Sequence, residues 1–286
     1  MKTIKSLLLV IIVAMVFTSC QKQPTADFTA SKTTASINES ITFSNNSTDA
    51  DSYSWEFGDG QTSTSENAIH SYTTTGTYSV KLIAYSKNEK KEDDKTSTIT
   101  VEGNETGTFT DSRDGKTYNT VKIGNQWWMS ENLAYQPSTG NYWAHDDNVS
   151  YVSTYGYLYD WETACVNCPD GWHLPSDAEW TILTDYLGGE SVAGGKMKET
   201  GTTHWSSPNT EATNSSGFTA LSSGGWVPDI FGIYFFDDLG YDGNFWTATE
   251  DDSFYAWSRI LCYDDANVYQ CNYEKECGFS VRCVKD

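Results

Sequence analysis

Basic residues, histidines and catalytic motifs are scarce in this 286-residue chain, and each scarcity excludes a class of function. The chain has 18 Lys and Arg against 39 Asp and Glu, a formal net charge of −21. A surface this acidic repels phosphate backbones, so we expect no nucleic-acid partner. Only four histidines occur, and the sequence lacks Gly-x-Ser-x-Gly, His-Glu-x-x-His and a Gly-rich phosphate loop before a helix. The residues therefore give little support for catalysis.

Long apolar runs are also missing, apart from residues 7–17 near the N-terminus. This run follows Lys2 and Lys5 and is too short to cross a bilayer, which needs about 20 apolar residues. It has the length of the apolar region of a signal peptide, about 7–15 residues, so residues 1–19 are predicted to be one.

The end of that segment, Phe17-Thr18-Ser19-Cys20, resembles a bacterial lipobox. The resemblance implies lipid attachment at Cys20, with residues 20–25 as anchor and tether. Acyl chains then hold the protein to the membrane, and we expect no other membrane contact. Because Gln21 replaces the aspartate that retains lipoproteins in the inner membrane, the expected location is the outer membrane or cell surface.

Cysteine is absent between positions 20 and 165, and the six remaining cysteines all follow residue 160. An even number in an exported chain is typical of a disulfide framework. Residues 107–286 also hold ten of the 11 Trp, with 26 acidic and nine basic residues. A polar stretch, residues 102–108, separates this half from the first and is predicted to be a linker.

The first half, residues 26–101, shows period-two alternation. Tyr53, Trp55 and Phe57 fall on one face of a predicted strand, with polar residues on the other. Several such runs with turn residues between them, and no helical periodicity, predict a small β-sandwich.

Three motifs in this half resemble the polycystic kidney disease (PKD) domain. They are Trp55-Glu56-Phe57-Gly58-Asp59-Gly60, His70-Ser71-Tyr72 and Gly76-Thr77-Tyr78-Ser79-Val80. The resemblance implies an Ig-like sandwich that serves as a spacer or adhesion module and not as a catalyst.

The second half contains one clear helix signal. Ser176 and Glu179 form a capping box, and Trp180, Leu183 and Leu187 follow at helical spacing. Short strand-like segments between long Gly/Ser/Asn-rich loops make up most of the remainder. We predict an α+β domain with high loop content.

Residues 109–286 resemble the Fibrobacter succinogenes major paralogous domain, which is similar to the C-type lectin-like fold. The motifs that carry the resemblance are Phe109-Thr110-Asp111-Ser112-Arg113-Asp114-Gly115, Ile123-Gly124-Asn125-Gln126-Trp127-Trp128-Met129, Cys168-Pro169-Asp170-Gly171-Trp172-His173-Leu174-Pro175 and Gly278-Phe279-Ser280-Val281-Arg282-Cys283. The activity of that family is largely unassigned, so the resemblance implies a fold more than a function.

The lectin-like fold joins its helical region to its last strand by a long-range disulfide, a role that Cys168 and Cys283 fit. Closing so long a loop is worth about 4 kcal/mol in the chain-entropy model. The suggested remaining pairs are Cys262 with Cys271, across a hairpin, and Cys165 with Cys277. Six cysteines allow 15 connectivities, so the pairing is a hypothesis.

Ligand-binding candidates are suggested by composition, because aromatic rings stack on sugars and carboxylates accept sugar hydroxyls. They are Trp226, Tyr234, Asp237, Asp238, Tyr241, Asp242 and Asn244. Of these, Asp237, Asp238 and Asp242 are weak candidates for calcium ligands. The Trp-Asn-Asp calcium motif of lectins is absent, and no other cofactor is expected.

The function predicted from these features is non-catalytic binding of an extracellular glycan or surface protein. One alternative is a structural or adhesion protein with a protein partner only. The other is a modifying enzyme of the formylglycine-generating type, which shares a related fold and needs a reactive cysteine pair.

Cys20→Ala should abolish incorporation of a radiolabelled fatty acid in a bacterial host, because the lipid is attached through the thiol. Labelling of the wild-type chain and of Cys20→Ala, followed by gel autoradiography, measures this directly. Equal label in both proteins would contradict the anchor.

Overall fold

The computed structural model describes residues 22–286, so the predicted signal peptide and the predicted lipid site at Cys20 lie outside the described residues. Within residues 22–286, no helix combines the length and apolar character needed to cross a membrane.

The N-terminal part contains eight strands and a single 3₁₀ turn at Lys87–Glu89. The strands are β1 (Phe28–Ala30), β2 (Thr34–Ser36), β3 (Ile41–Asn45), β4 (Ser52–Glu56), β5 (Thr62–Ser63), β6 (Ala68–His70), β7 (Gly76–Tyr85) and β8 (Glu92–Glu102). They form one sheet in the order β1-β3-β6 and another in the order β2-β8-β7-β4-β5. The predicted β-sandwich is confirmed.

The interior of the sandwich follows the alternation of the sequence. Trp55 and Phe57 are buried, and the Trp55 ring packs edge-on against Phe28 with centroids 5.1 Å apart. Gly58 follows with φ +85°, and a Cβ on it would lie 2.8 Å from the Ser79 carbonyl oxygen. The Gly-Asp-Gly turn thus requires glycine at 58 for both its backbone conformation and its close packing.

The C-terminal part is mixed, which confirms the predicted α+β class. Its helices are α1 (Val152–Tyr155), α2 (Trp161–Val166), α3 (Asp177–Tyr186) and α4 (Glu190–Met197), with 3₁₀ turns at His145–Asp147 and Val149–Tyr151. Its strands are β9 (Thr106–Thr110), β10 (Thr117–Ile123), β11 (Gln126–Met129), β12 (Tyr142–Trp143), β13 (Leu158–Tyr159), β14 (Trp172–His173), β15 (Ser223–Pro228), β16 (Tyr234–Leu239), β17 (Asp242–Glu250), β18 (Tyr255–Cys262), β19 (Tyr269–Glu274) and β20 (Val284–Lys285).

Two five-stranded sheets dominate this part, in the orders β14-β20-β11-β10-β9 and β16-β15-β17-β18-β19. Most pairs are antiparallel, whereas β15 and β17 are parallel. The predicted linker, residues 102–108, is short in the structure: β8 ends at Glu102 and β9 already begins at Thr106.

Helix α3 begins as predicted. The Ser176 side chain accepts from the Glu179 backbone N–H, and the Glu179 carboxylate accepts from the Ser176 backbone N–H. Trp180 and Leu183 are buried and pack in a cluster with Trp128, Phe218 and other apolar side chains. The amphipathic face therefore attaches the helix to the core of the domain.

The last segment, residues 278–285, runs through the interior of the domain and bonds to several distant segments. Phe279 exchanges two backbone hydrogen bonds with Tyr159, and Ser280 N donates to the Asn244 carbonyl oxygen. The predicted Cys168–Cys283 disulfide is present in this segment and joins positions 115 residues apart in sequence. The chain terminus is thus held by backbone pairing and by a covalent bond.

Arg282 is the fully buried charged residue of that segment. Its guanidinium donates to Asn132 Oδ1 at 2.6 Å and to the carbonyl oxygens of Met129, Phe218 and Thr219. The guanidinium also lies 4.5 Å from the centroid of the Phe218 ring. Burial lowers the pKa of Arg282 to about 9, so the group remains a cation at neutral pH.

Arg282→Met should lower the free energy of unfolding of the C-terminal part by about 3–5 kcal/mol, because three buried carbonyl groups lose their donor. Tryptophan fluorescence during urea unfolding monitors this part, which holds ten of the 11 Trp. The matched control is Lys285→Met in the same segment, where the side chain is exposed and the change should stay within about 0.5 kcal/mol. Equal losses in the two variants would contradict the role given to Arg282.

Candidate functional site

Six of the seven ligand candidates from the sequence lie on three neighbouring strands. Trp226 is on β15, Tyr234 with Asp237 and Asp238 on β16, and Asp242 with Asn244 on β17. Tyr241 lies in the turn between β16 and β17. The three strands are neighbours in the order β16-β15-β17 and so bring the candidates to one region, but their side chains do not all face solvent.

Two of the candidates contribute to packing. Trp226 stacks on Trp143 with ring centroids 5.6 Å apart and lies 4.6 Å from the ring of its cross-strand partner Phe236. Asn244 is buried, with 6% of its surface exposed. Asn244 faces the interior because β17 is a central strand of its sheet, and its side chains at this point lie inside the domain.

The three aspartates differ in environment. Asp237 and Asp238 are exposed, while Asp242 is half-buried opposite Cys262 in the β17–β18 pairing. Burial, together with the nearby carboxylates of Asp238 and other aspartates, raises the pKa of Asp242 to about 6, although a hydrogen bond from the Cys262 thiol acts in the opposite direction. In the described part of the chain, no three His, Cys, Asp or Glu side chains form a group suited to a metal. The weak calcium candidates are thus not gathered into such a site.

Among residues 22–286, the four cysteines outside the disulfide are free thiols, so the two further suggested pairs are not formed in this structure. Strand register explains the first: Cys271 pairs with Ser258, and Cys262 lies four residues further along β18, a separation of about 13 Å at ~3.3 Å per residue. Cys165 packs against the same hydrophobic cluster that contains Cys277, but no bond joins the two thiols.

All four free thiols have raised pKa values. Burial raises the pKa of Cys165 and of Cys277 to about 12, and neighbouring carboxylates add to the effect. Burial also raises the pKa of Cys262 and of Cys271. Reactive cysteines depend on a lowered pKa, because the thiolate is the nucleophile.

A cleft of about 500 Å³ opens beside the turn that follows β19, and sequence reasoning missed it. It is lined by Glu162, Ser253, Phe254, Tyr255, Glu274, Lys275 and Glu276. Its volume falls within the usual range for small-ligand sites, about 300–1,000 Å³. Tyr234, one of the sequence candidates, is connected to it, since its hydroxyl donates to Glu274 at 3.0 Å and to Glu276 at 3.3 Å.

The aromatic side of the cleft is held by a turn. The Asp252 carboxylate accepts from the backbone N–H groups of Phe254 at 2.7 Å and Tyr255 at 2.9 Å. Tyr255 lies opposite Glu274 in the β18–β19 pairing, and Lys275 N donates to the Phe254 carbonyl oxygen. Phe254 nevertheless remains 72% exposed. The turn therefore presents an aromatic ring to solvent on a fixed backbone.

A weak signal for this cleft exists in the sequence. Asp252-Ser253-Phe254-Tyr255 has an aspartate two residues before an aromatic pair, a spacing typical of an Asx turn. Its position beside residues 274–276 follows from the pairing of β18 with β19, which composition does not reveal.

Known proteins resemble both parts of the chain. Residues 121–285 match the model of the Fibrobacter succinogenes major domain family, and residues 21–101 match that of the PKD domain. The PKD1 domain of the Vibrio cholerae metalloprotease PrtV is 34% identical, with a TM-score of 0.25, over 28% of this chain and 99% of that one. The PKD1 domain of Vibrio anguillarum Epp is 30% identical, with a TM-score of 0.25, over 29% and 96%. A structure of carbohydrate-binding modules from the β-sandwich superfamily is 24% identical, with a TM-score of 0.28, over 39% and 56%.

The raised pKa of Asp242 predicts a pH-dependent stability. Between the unfolded pKa near 4 and the folded pKa near 6, the folded state binds more protons than the unfolded state, so the free energy of unfolding falls as pH rises. The free energy of unfolding should fall by about 1–2 kcal/mol over this range. This value is smaller than the full pKa shift would give, because Asp242 is partly exposed and solvent screens its charge.

Thermal unfolding of the wild type and of Asp242→Asn between pH 4 and 7 measures this loss. The variant should lack that part of the decline, whereas Asp170→Asn, at an exposed position, should retain it. A decline of the same size in Asp242→Asn and the wild type would contradict the assignment.

Proposed function

The chain belongs to the Fibrobacter succinogenes major domain family and carries a PKD domain before that domain, and on this premise we propose that it binds an extracellular glycan at the surface of a bacterial cell. Lipid at Cys20 attaches it to the outer membrane, and the PKD domain acts as a spacer. The C-terminal domain binds the glycan without chemical change.

The observation that carries the proposal is the cleft beside β19. Exposed aromatic side chains in a concave site are suited to stacking on sugar rings, and the flanking carboxylates accept hydroxyl hydrogen bonds. Phe254 and Tyr255 are held by the Asp252 turn, so binding need not order a mobile loop.

The enzymatic alternative receives less support than binding. A formylglycine-generating mechanism needs a reactive cysteine, whereas the free thiols here have raised pKa values. We therefore propose that these cysteines contribute to packing.

A second candidate function, adhesion to a protein, is favoured by a different surface. The loop between β15 and β16 exposes Ile230, Phe231 and Ile233, with Ile230 92% and Phe231 81% exposed. The Asp229 carboxylate accepts from the backbone N–H groups of Phe231 and Ile233 and fixes this loop. An exposed apolar loop of this kind is typical of a protein-binding surface.

Binding of the full chain to an array of neutral, acidic and basic glycans tests the main proposal. Phe254→Ala should weaken the bound signal at least about tenfold. Stacking of a nucleotide base on an aromatic side chain is worth on the order of 1–3 kcal/mol, and we expect a similar value for a sugar ring on Phe254. Phe231→Ala is a matched control, because Phe231 is also an exposed phenylalanine two residues after a turn-forming aspartate.

The two variants separate the candidate functions. Loss in Phe254→Ala alone supports the cleft. An array without any bound glycan contradicts glycan binding and favours the adhesion candidate, and loss in Phe231→Ala alone assigns binding to the β15–β16 loop instead.

A further inference from the structure

The charge of the cleft is negative and comes from three side chains. Glu162, Glu274 and Glu276 line it, and none of the three forms an ion pair with another described residue between 22 and 286. Two of them lie beside the Tyr234 hydroxyl, whose one hydrogen is shared between Glu274 at 3.0 Å and Glu276 at 3.3 Å. These carboxylates keep further lone pairs for a ligand, because an ionised carboxylate accepts about four hydrogen bonds.

The one basic residue of the cleft, Lys275, is engaged elsewhere. Its ammonium pairs with Glu250 and lies 4.5 Å from the centroid of the Trp161 ring. Only 12% of its side chain is exposed. A negative ligand would therefore meet three carboxylates and an ammonium that is already neutralised.

The aromatic wall completes the geometry. Tyr255 is the cross-strand neighbour of Glu274, and the Phe254 ring is exposed at the same cleft. A ligand that stacks on this wall brings its substituents next to the carboxylates. Rings and negative charge are thus adjacent in one concavity of about 500 Å³.

We infer that the cleft selects saccharides that carry free, unacetylated amino groups. This inference rests on the proposed glycan function. A protonated amine donates three hydrogen bonds to carboxylates, and charge-assisted bonds of this type are about twice as strong as neutral ones. N-acetylation removes that charge, and a uronic acid would place a like charge against Glu162, Glu274 and Glu276.

Titration calorimetry of the full chain with four probes tests the selectivity. The probes are a β-1,4-linked glucosamine tetramer, its fully N-acetylated form, a galacturonic acid tetramer and a tetralysine peptide. The glucosamine tetramer should bind at least about tenfold more tightly than the N-acetylated form, and its affinity should fall with added salt. The galacturonic acid tetramer should show no binding.

Variants identify the source of the preference. Glu274→Gln should reduce the affinity for the glucosamine tetramer about tenfold and leave that for the N-acetylated form unchanged. Asp185→Asn removes the same charge on α3, outside the cleft, and should retain the wild-type preference. Phe254→Ala should weaken the affinity for both the glucosamine tetramer and its N-acetylated form. The midpoint of thermal unfolding of this variant should equal that of the wild type, because Phe254 is exposed.

The outcomes are distinct from those of the glycan array. Equal affinity for the two glucosamine-based tetramers, with loss of both in Phe254→Ala, overturns the amine preference and leaves glycan binding in place. Tetralysine binding as tight as that of the glucosamine tetramer overturns the saccharide assignment. Unchanged selectivity in Glu274→Gln overturns the role of the carboxylates, and no binding of any sugar here or on the array overturns the proposed function itself.

Discussion

The buried guanidinium of Arg282 is the interaction on which the C-terminal domain depends most. Its hydrogen-bond partners are one amide and three backbone carbonyl groups, at Asn132, Met129, Phe218 and Thr219. Those groups belong to two segments far apart in sequence, the end of β11 with the residues that follow it and the loop at residues 218–219. Because a buried cation requires all its donors to be paired, the guanidinium fixes the loops around it as firmly as a strand would.

The same segment determines where the cleft forms. Residues 274–276 are separated by one residue from Gly278, whose backbone pairs with Trp226, and Phe279 then pairs with the backbone of Tyr159. The turn that supplies Glu274, Lys275 and Glu276 is therefore attached to the interior on its C-terminal side and to β18 on its N-terminal side. A site on a turn fixed at both ends keeps its side chains in place without a ligand.

Local signals in the sequence were sufficient where a feature depends on near neighbours. The capping box at Ser176 and Glu179 and the alternation around Trp55 describe elements a few residues long, and both have the predicted form.

The Cys168–Cys283 bond required the family resemblance, because it joins positions 115 residues apart. The Cys262–Cys271 pair failed for a related reason: turn composition suggests a hairpin but does not give its register, and a shift of four residues separates the two thiols. The burial of Asn244 could not be predicted from the sequence, because it depends on the position of β17 within its sheet.

The acidity of the whole chain and that of the cleft have different consequences. A net charge of −21 attracts any cation over a distance limited by the Debye length, about 8 Å at physiological salt, and so affects association without distinguishing among cationic ligands. Discrimination needs contacts at fixed distances, and these come from the aromatic pair at 254 and 255 beside Glu274. The cleft keeps its net negative charge because Lys275 is buried against Trp161 and Glu250. A lysine extended into the cleft would cancel part of the negative charge that the three glutamates supply.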